Sequence, residues 1–357
     1  MGSVSPKPTI LYVGPPIVFA HDAWAAFTKN FNVLFYDLHS KEEVITAFSE
    51  GGKYSKIGGI VRPNIGPHLL PSMDKELISH LPASCKIISY CNHGYDGEDT
   101  KELERKGIWY CNGAGGATNA TADMALFLIL AAYRYTTFCE HQLRTIGSAD
   151  YSAVEDVCNG SYDPNGGILG VIGLGEIGTA AATRARVLGM SIHYFNRTRK
   201  PEAEKALGGA EYHKDLESLL RISDCVLVAC PHSQETHHLL NKETFKLMKK
   251  GSRVVNIARG KVIDEEALVD ALEDGTISSV GLDVFHDEPA IHPKLVSNWK
   301  VTLVPHIGGS TVGTLQKFEE IALKNIEAFF LGDGKPLTPI NNVCKNIEAK
   351  FYSGLAA

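Results

Sequence analysis

The chain has 357 residues, of which 44% are hydrophobic and 21% charged, and its formal net charge is −6. This length suits two domains. The net negative charge gives no support for nucleic acid or an anionic membrane as a partner. The longest apolar run is shorter than the roughly 20 residues that a membrane-spanning helix needs. The start of the chain has no apolar signal segment, and the eight cysteines form no CxxC pair. We therefore expect reduced thiols and a cytoplasmic protein.

Short β-rich runs alternate with helix-length segments in the first third of the chain. Their apolar residues are continuous rather than alternating, which is typical of strands buried on both faces of a parallel sheet. These runs are 10–14, 33–37, 58–62, 85–91 and 108–112. A helix predicted over about 119–142 follows and is apolar nearly all round. Such a helix must bury more than one face, either between domains or against a second subunit.

The polar segment 144–167 indicates a long surface excursion, and a second alternating series follows it. Its strand-like runs are 168–173, 191–196, 225–230, 253–258, 278–285 and 300–305. A final helix is predicted over about 312–331, and we expect it to return to the first domain. The elements predict an α/β chain of two doubly wound parallel-sheet domains, Rossmann-like or flavodoxin-like, with the second inserted in the first and a cleft between them. We place the first domain at 1–116 plus 313–357 and the second at 117–312.

A glycine-rich turn opens the second series. The sequence Gly173-Leu174-Gly175-Glu176-Ile177-Gly178 directly follows an apolar strand and begins a helix. A further strand ends about 20 residues later, which is the setting that a dinucleotide-binding turn requires. The first glycine allows the tight turn, the second lets pyrophosphate approach the backbone, and the third lets helix and strand pack closely. The alternative is a purely structural βα turn.

The end of that further strand carries cations where NAD-binding chains place an acid. Asn196 removes the repulsion of a 2′-phosphate, and Arg197 and Arg199 are suited to pair with one. Thr198 offers a hydrogen bond. The alternative is a solvated charged loop. On charge complementarity we favour NADP(H) over NAD(H) as cofactor.

Reactive side chains follow three consecutive strands of the second series. They are Arg259, then Asp283 with Glu288, and finally His306. Parallel strands bring these ends to one rim, the rim that also holds the glycine turn. Each residue alone has an ordinary structural alternative, such as a cap, an ion pair or a satisfied loop residue. Together they point to a catalytic set.

The chemistry of the set is hydride transfer to or from a carbonyl. His306 would donate a proton to the carbonyl oxygen, or remove the hydroxyl proton in the reverse reaction. Glu288 would hold the other ring nitrogen and fix its tautomer. Arg259 would bind a carboxylate or carbonyl of the substrate. Asp283 is better placed for the carboxamide of a nicotinamide than for proton transfer.

At this point the sequence resembles the D-isomer-specific 2-hydroxyacid dehydrogenases. The matching stretches are, in order, GVIGLGEIG, SDCVLVACPHSQETHHLLN, VVNIARG, GLDVFHDEP and PHIGG. The resemblance implies that Arg259, Glu288 and His306 are the catalytic set, and that the long helix forms a homodimer. It implies a substrate loop at Asn92, His93 and Gly94, whose backbone N–H groups would bind the carboxylate together with Arg259.

The resemblance also adds residues near the cofactor. Those expected to contact it are Thr121, Gly173, Leu174, Gly175, Glu176, Ile177, Gly178, Asn196, Arg197, Thr198, Arg199, Cys230, Pro231, Ala258, Asp283 and Gly308. An Asn-Arg pair at the second strand also occurs in NADPH-using glyoxylate/hydroxypyruvate reductases of this family. The chain is therefore expected to act as a 2-oxo acid reductase, converting a 2-oxo acid into a D-2-hydroxy acid with NADP(H) or NAD(H).

Two departures concern the substrate. The family loop usually has two glycines around a small residue, whereas this chain has Asn92 and His93 before Gly94. This departure argues against small substrates such as glyoxylate. The segment 144–167 resembles the longer link of microbial D-mandelate dehydrogenases and suggests a bulkier 2-oxo acid. The candidates to line the substrate pocket are Arg62, Ile65, His93 and Tyr95.

A different class of function shares this fold. A non-catalytic, dinucleotide-sensing scaffold that resembles the C-terminal-binding-protein corepressors would keep much of the site, and turnover with any 2-oxo acid would distinguish the two. We predict no metal site, because His237 and His238 lack the HExxH spacing.

Overall fold

The computed structural model of the chain describes residues 7–15, 17–63 and 70–343. By its internal contacts the chain divides into two compact units. Unit 1 comprises Met1–Ala117 and Thr311–Ala357, and unit 2 comprises Thr118–Ser310. Within the described residues, no helix combines the length and apolarity that crossing a membrane requires.

Unit 1 begins with five strands that alternate with four helices. They are β1 (Thr9–Tyr12), α1 (His21–Asn30), β2 (Asn32–Phe35), α2 (Lys41–Phe48), β3 (Gly59–Arg62), α3 (Lys75–His80), β4 (Ile87–Tyr90), α4 (Thr100–Arg105) and β5 (Trp109–Cys111). Polar residues set the helix starts: Ser40, Asp74 and Asp99 each accept a backbone N–H from the first turn of the helix that follows. The strands form one parallel sheet in the order β2-β1-β3-β4-β5.

Unit 2 contains seven strands and most of the helices. Its elements are α5 (Thr118–Arg134), α6 (Thr136–Ile146), α7 (Glu155–Asn159), β6 (Ile168–Ile172), α8 (Glu176–Val187), β7 (Ser191–Phe195), α9 (Pro201–Ala206), β8 (Glu211–His213), α10 (Leu216–Ile222), β9 (Cys225–Val228), α11 (Lys242–Phe245), β10 (Ser252–Asn256), α12 (Glu265–Glu273), β11 (Ile277–Leu282), α13 (Pro293–Val296) and β12 (Val301–Leu303). The strands form a parallel sheet in the order β12-β11-β10-β9-β6-β7-β8. The prediction of two doubly wound, parallel-sheet α/β domains is confirmed.

Apolar clusters cover both faces of each sheet. In unit 2 one cluster joins the sheet to α10 and α12, and another joins it to α5 and α8. The last described helix, α14 (Val312–Leu331), packs on β3, β4 and α1 of unit 1. Burial on both faces explains why these strands are continuous apolar runs in the sequence.

The strands of unit 2 end together because their register is continuous. Ile172 pairs with Val228, Val228 with Asn256, Asn256 with Leu282, and Leu282 with Leu303. On the other side, Ile172 pairs with Phe195 and Phe195 with His213. One line of paired residues therefore crosses all seven strands, and the loops beyond it leave from one rim.

Two local predictions from the sequence were wrong. The helix predicted over 119–142 is two helices, because Tyr135 adopts a left-handed backbone (φ 50°, ψ 33°) between α5 and α6. The segment 144–167, predicted as a surface excursion, is largely exposed and contains the end of α6, a 3-10 turn at Tyr151–Val154 and the short α7. Strand β8 was missed, since only three residues, Glu-Tyr-His, form it and two of them are polar.

Candidate active site

Two glycines in the turn after β6 are required by the backbone around them. Gly173 has φ +100°, and a Cβ on it would lie 2.6 Å from the backbone nitrogen of Cys230. A Cβ on Gly178 would lie 2.2 Å from the carbonyl oxygen of Gly173. A side chain at either position would collide with the backbone, and the positive φ at position 173 would strain any other residue. The two glycines let α8 begin directly after β6.

The N-terminus of α8 opens onto free space. Gly175 is the N-cap residue, and no side chain caps the helix. A Cβ on Gly175 would meet no described atom within 4 Å. The N–H groups of the first turn therefore keep their positive potential and their free donors. This arrangement fits the pyrophosphate of a dinucleotide, which needs backbone donors and no side chain in front of them.

The cationic residues after β7 have different surroundings. The Oδ1 atom of Asn196 accepts the Leu174 N–H at 2.7 Å, which ties the strand end to the glycine turn. Arg199 donates two hydrogen bonds of 2.9 Å to the carboxylate of Glu204. Arg197 is exposed and forms no ion pair with any residue that the structure describes. Of the two arginines, Arg197 is thus the one whose guanidinium is not committed to an acid.

The loop after β10 holds Arg259 against the rim. The buried side chain of Asn256 accepts the Ala258 N–H and donates to the Arg259 carbonyl, both at 3.0 Å. Gly260 follows, and a Cβ on it would lie 1.9 Å from the carbonyl group of Phe285. The loops after β10 and β11 therefore touch through backbone, and only glycine permits this contact. Sequence reasoning missed Asn256, although a polar residue at the end of an apolar strand is a usable signal.

His306 and Glu288 form a hydrogen-bonded pair. The Nδ1 atom of His306 lies 2.8 Å from Oε2 of Glu288. The other carboxylate oxygen of Glu288 accepts the Phe285 N–H at 2.9 Å. An ionised carboxylate only accepts hydrogen bonds, so Nδ1 carries the proton and Nε2 is left for another partner. Both side chains are partly exposed, at 47% and 36%, so a ligand in solvent has access to them.

Asp283 supports the loop that carries His306. It is 2% exposed, and its carboxylate accepts the Ile307 N–H at 2.8 Å and the Gly308 N–H at 2.9 Å. Burial raises the pKa of the Asp283 carboxyl above its ordinary value, although the two backbone N–H groups act in the opposite direction. The nicotinamide contact suggested for Asp283 by the sequence stays a prediction. In the structure both of its carboxylate oxygens accept backbone N–H groups directly after the histidine.

The register of the sheet defines the distance between the strand ends that precede Arg259 and His306. Arg259 and His306 each follow the common line by three residues, after Asn256 and Leu303 respectively. Their strands, β10 and β12, are two steps apart in the sheet, or roughly 10 Å. A small acid with a carboxylate and a neighbouring carbonyl fits a gap of that order.

Other predicted contact residues surround the same rim. Cys230 is buried beside Gly173, and its burial raises the pKa of the thiol to about 11. Thr121 is 7% exposed, and its Cγ2 atom would lie 3.5 Å from a Cβ on Gly308. Pro231 is exposed and Ala258 half-buried.

Comparisons with known proteins agree with this geometry. Residues 126–308 match the profile of the D-isomer specific 2-hydroxyacid dehydrogenase NAD binding domain. The chain belongs to the D-isomer-specific 2-hydroxyacid dehydrogenase family. The resemblance predicted from the sequence motifs is therefore confirmed, and the chain is a 2-hydroxyacid dehydrogenase whose unit 2 contains the NAD-binding domain of the family.

Three relatives illustrate the similarity. The D-mandelate dehydrogenase of Rhodotorula graminis, in its holo form, has a TM-score of 0.89 at 35% identity over 94% of this chain and 98% of that chain. A glyoxylate reductase from Paecilomyes thermophila has a TM-score of 0.83 at 34% identity over the same shares of the two chains. The glyoxylate reductase of Thermococcus onnurineus is 41% identical over 77% of this chain and 82% of its own length.

The loop predicted to bind the substrate in this dehydrogenase follows β4 in unit 1. The His93 N–H, which we expected to be available, donates to Oδ1 of Asn92 at 2.7 Å. The Asn112 side chain donates to the His93 carbonyl at 2.6 Å, and the Gly113 N–H donates to the Asn92 carbonyl at 2.7 Å. The Gly94 N–H donates to no other described residue.

The candidate pocket residues of unit 1 differ in their surroundings. Arg62 is buried and lies 2.9 Å from Glu98, and it also donates to the Leu70 carbonyl at 2.9 Å. Its guanidinium is thus hydrogen-bonded within unit 1, and its contact with a substrate stays a prediction. Tyr95 is 40% exposed, and Ile65 lies outside the described residues.

Proposed function

We propose that this dehydrogenase acts as an NADPH-linked reductase of 2-oxo acids and forms D-2-hydroxy acids. The observation that carries the proposal is the His306–Glu288 pair on the same rim as the glycine turn and Arg259. A nicotinamide cofactor, when bound, supplies the hydride. The residues of the chain supply the proton, the binding of the carboxylate and the alignment of the carbonyl.

His306 is the proposed acid. Its Nδ1–H donates to Oε2 of Glu288, with 2.8 Å between the two heavy atoms. Nε2 is therefore the atom that gives a proton to the carbonyl oxygen during reduction. In the reverse reaction the neutral Nε2 takes the hydroxyl proton. The carboxylate of Glu288 stabilises the imidazolium and fixes the ring, because its second oxygen is anchored by the Phe285 N–H. Asp283 holds the backbone of the same loop and is a positioning residue.

Arg259 is the proposed partner of the substrate carboxylate. A guanidinium binds a carboxylate through two parallel N–H donors, which orients the neighbouring carbonyl as well as holding the acid. Gly94 is the proposed backbone donor of the substrate loop, since the N–H of His93 is already bonded to Asn92. His93 itself remains a candidate contact to the substrate.

The preference for NADPH rests on the end of β7. Asn196 replaces an acid that would repel a 2′-phosphate, and its side chain is turned to the Leu174 N–H. Arg197 supplies a cation without an acidic partner among the described residues, and Thr198 supplies a hydroxyl next to it. Arg199 is held by Glu204, so we assign the phosphate chiefly to Arg197.

We further propose a bulkier 2-oxo acid than glyoxylate as the substrate. Asn92 and His93 stand where the family usually places smaller residues in the substrate loop. The similarity to a D-mandelate dehydrogenase also supports a bulkier substrate, because mandelate carries an aromatic ring. The proposed test substrate is phenylglyoxylate, the 2-oxo acid of mandelate.

A homodimer and a cytoplasmic location complete the proposal. No side chain of α6 is fully buried within this chain, and Leu143 and Ile146 on it are 41% and 42% exposed. Phe127 on α5 is 42% exposed. Light scattering of the purified protein, with Leu143→Glu as the variant, tests the dimer. Cell fractionation tests the location.

The enzymatic proposal is tested by following NADPH consumption with a panel of 2-oxo acids that includes phenylglyoxylate, pyruvate and glyoxylate. The product is then resolved by chiral chromatography. We expect NADPH-dependent turnover, a larger kcat/KM for phenylglyoxylate than for glyoxylate, and the D product. An absence of turnover with every acid, or an L product, contradicts the proposal.

A further inference from the structure

A cluster of metal-ligating side chains lies at the edge of the unit 2 sheet, on β7 and β8. In the parallel register His193 pairs with Glu211, and Phe195 pairs with His213. Residues two apart on a strand point to the same face, so Glu211 and His213 share a face with each other and with His193. Sequence spacing alone did not indicate this cluster, because the two histidines are on different strands and β8 was not predicted.

The potential ligand atoms converge. Nδ1 of His193 lies 3.0 Å from Nε2 of His213 and 3.7 Å from Oε2 of Glu211. All three ligand atoms lie within 4.8 Å of one another. Two ligands of a tetrahedral zinc ion with bonds of about 2.0–2.1 Å are roughly 3.3 Å apart. The observed separations are on either side of that value, so a single ion reaches all three atoms with small side-chain movements.

A second layer of hydrogen bonds sets the tautomer of His213. Its Nδ1 atom lies 3.0 Å from Oγ of Ser218, and that hydroxyl donates to the Asp215 carbonyl at 3.0 Å. Because the hydroxyl proton is used, Nδ1 of His213 is the donor of the first bond. The lone pair of Nε2 therefore points toward His193. Metal-bound histidines characteristically donate the N–H of their other ring nitrogen to a neighbouring acceptor.

The cluster is open to solvent and contains one acid, Glu211. The Glu211 side chain is 70% exposed, whereas that of His193 is 15% exposed. Lys249 adds a positive charge in the neighbourhood of His193, but its ammonium lies 2.8 Å from the Asp224 carboxylate. Arg199, on the rim of the same depression, is paired with Glu204. Two of the nearby cations are thus paired with acids, and Arg186 and Lys214 also line the depression.

We propose that His193, Glu211 and His213 bind one divalent transition-metal ion, with Zn²⁺ as the best match to two imidazoles and a carboxylate. An ion with three protein ligands keeps a further position for water. The site is separate from the proposed catalytic set, since β8 and β10 are four strand steps apart, roughly 19 Å. Its effect would be to fasten β8 to β7 at the edge of the sheet. The proposal does not depend on the proposed function.

Titration calorimetry with Zn²⁺ tests the site, on tag-free protein treated first with a chelator. We expect one Zn²⁺ per chain, no binding of Mg²⁺, and a rise in melting temperature with Zn²⁺ because the ion binds the folded chain. His193→Gln and His213→Gln should each abolish this binding. Ser218→Ala keeps all three ligands and should weaken binding by about 10- to 100-fold.

The control variant removes a different group of histidines. His237 and His286 belong to a separate set of contacting rings after β9 and β11. The double variant His237→Gln/His286→Gln should keep the one-to-one binding of Zn²⁺. No stoichiometric binding by the wild type, or binding that the cluster variants leave unchanged, would overturn the proposal. In that case the 3.0 Å contact is only a hydrogen bond between two rings. Circular dichroism of each variant verifies that it is folded.

Discussion

Nδ1 of His306 lies 2.8 Å from Oε2 of Glu288, and the second oxygen of that carboxylate is held by the Phe285 N–H. The Glu288 carboxylate is therefore held in place by the loop after β11. Because the pair leaves Nε2 as the nitrogen that transfers a proton, it defines where a substrate oxygen has to lie. The proposed chemistry depends on this relationship.

Glu288→Gln tests the carboxylate. The amide keeps the size of the side chain but removes the charge that stabilises the imidazolium, so we expect kcat to fall by about 10²-fold or more. NADPH affinity, measured by nicotinamide fluorescence, should stay within a factor of two. Glu266→Gln is the matched control, because Glu266 makes a similar contact of 3.0 Å to His292 outside the site. Similar losses in both variants would argue against a specific role for Glu288.

Arg197→Ala tests the preference for NADPH. Removing a charge-assisted contact to a 2′-phosphate should weaken NADPH binding by about 10- to 100-fold and leave NADH binding unchanged. Arg199→Ala is the comparison, and we expect a smaller effect because that guanidinium is already paired with Glu204. Equal losses for NADPH and NADH would show that the arginine does not bind the phosphate.

Arg259→Lys tests the binding of the substrate carboxylate. Lysine keeps the charge but not the two parallel donors, so KM for the 2-oxo acid should rise by about 10- to 100-fold. The affinity for NADPH should not change. Arg221→Lys is the control, since Arg221 pairs with Glu217 on the exposed face of α10. Unchanged substrate kinetics in Arg259→Lys would contradict the assignment.

Asp283→Ala tests the support of the histidine loop. The change leaves two backbone N–H groups without their acceptor, and we expect a loss of about 2–4 kcal/mol in the free energy of unfolding. Denaturant titration measures this loss. Asp123→Ala, which removes an exposed ion pair with Arg184, should cost about 1 kcal/mol or less. Equal stabilities of the two variants would contradict the role given to Asp283.

The same variant carries a pH signature. Burial raises the pKa of Asp283 in the folded chain above the ordinary 3.8, so the folded state takes up this proton more readily than the unfolded state. The contribution of this titration to stability is therefore present below the ordinary pKa and is lost as pH rises through the raised pKa. The stability difference between wild type and Asp283→Ala should grow as pH falls from 7 toward 4. A difference that shrinks over that range has the wrong sign.

The sequence predicted the parts of this molecule that depend on the order of its elements and on the pattern of apolar residues along the chain. Strand ends are readable because a buried parallel strand is a continuous apolar run, and the residues just beyond it, such as Arg259 and His306, share one rim by register. Gly173 and Gly178 were also readable, because a turn of this kind leaves no room for a Cβ.

What the sequence did not reveal depends on contacts between distant side chains. The pairing of Arg199 with Glu204, the burial of Arg62 against Glu98 and the bond from Asn92 to the His93 N–H arise only once loops have their final course. The left-handed Tyr135 was not predictable either, since no glycine marks the break, and its ring packs on Trp299. Each of these defines the surroundings of a candidate residue or the end of an element.

The most direct test of the proposed reaction compares wild type and His306→Gln in one assay of NADPH consumption with phenylglyoxylate, alongside a fluorescence titration with NADPH. We predict turnover to the D-hydroxy acid by the wild type, and in the variant a kcat lower by about 10²- to 10⁴-fold with NADPH affinity essentially unchanged. A variant that retains the wild-type kcat would remove His306 as the acid. A wild type that binds NADPH and reduces no 2-oxo acid would contradict the proposed activity itself.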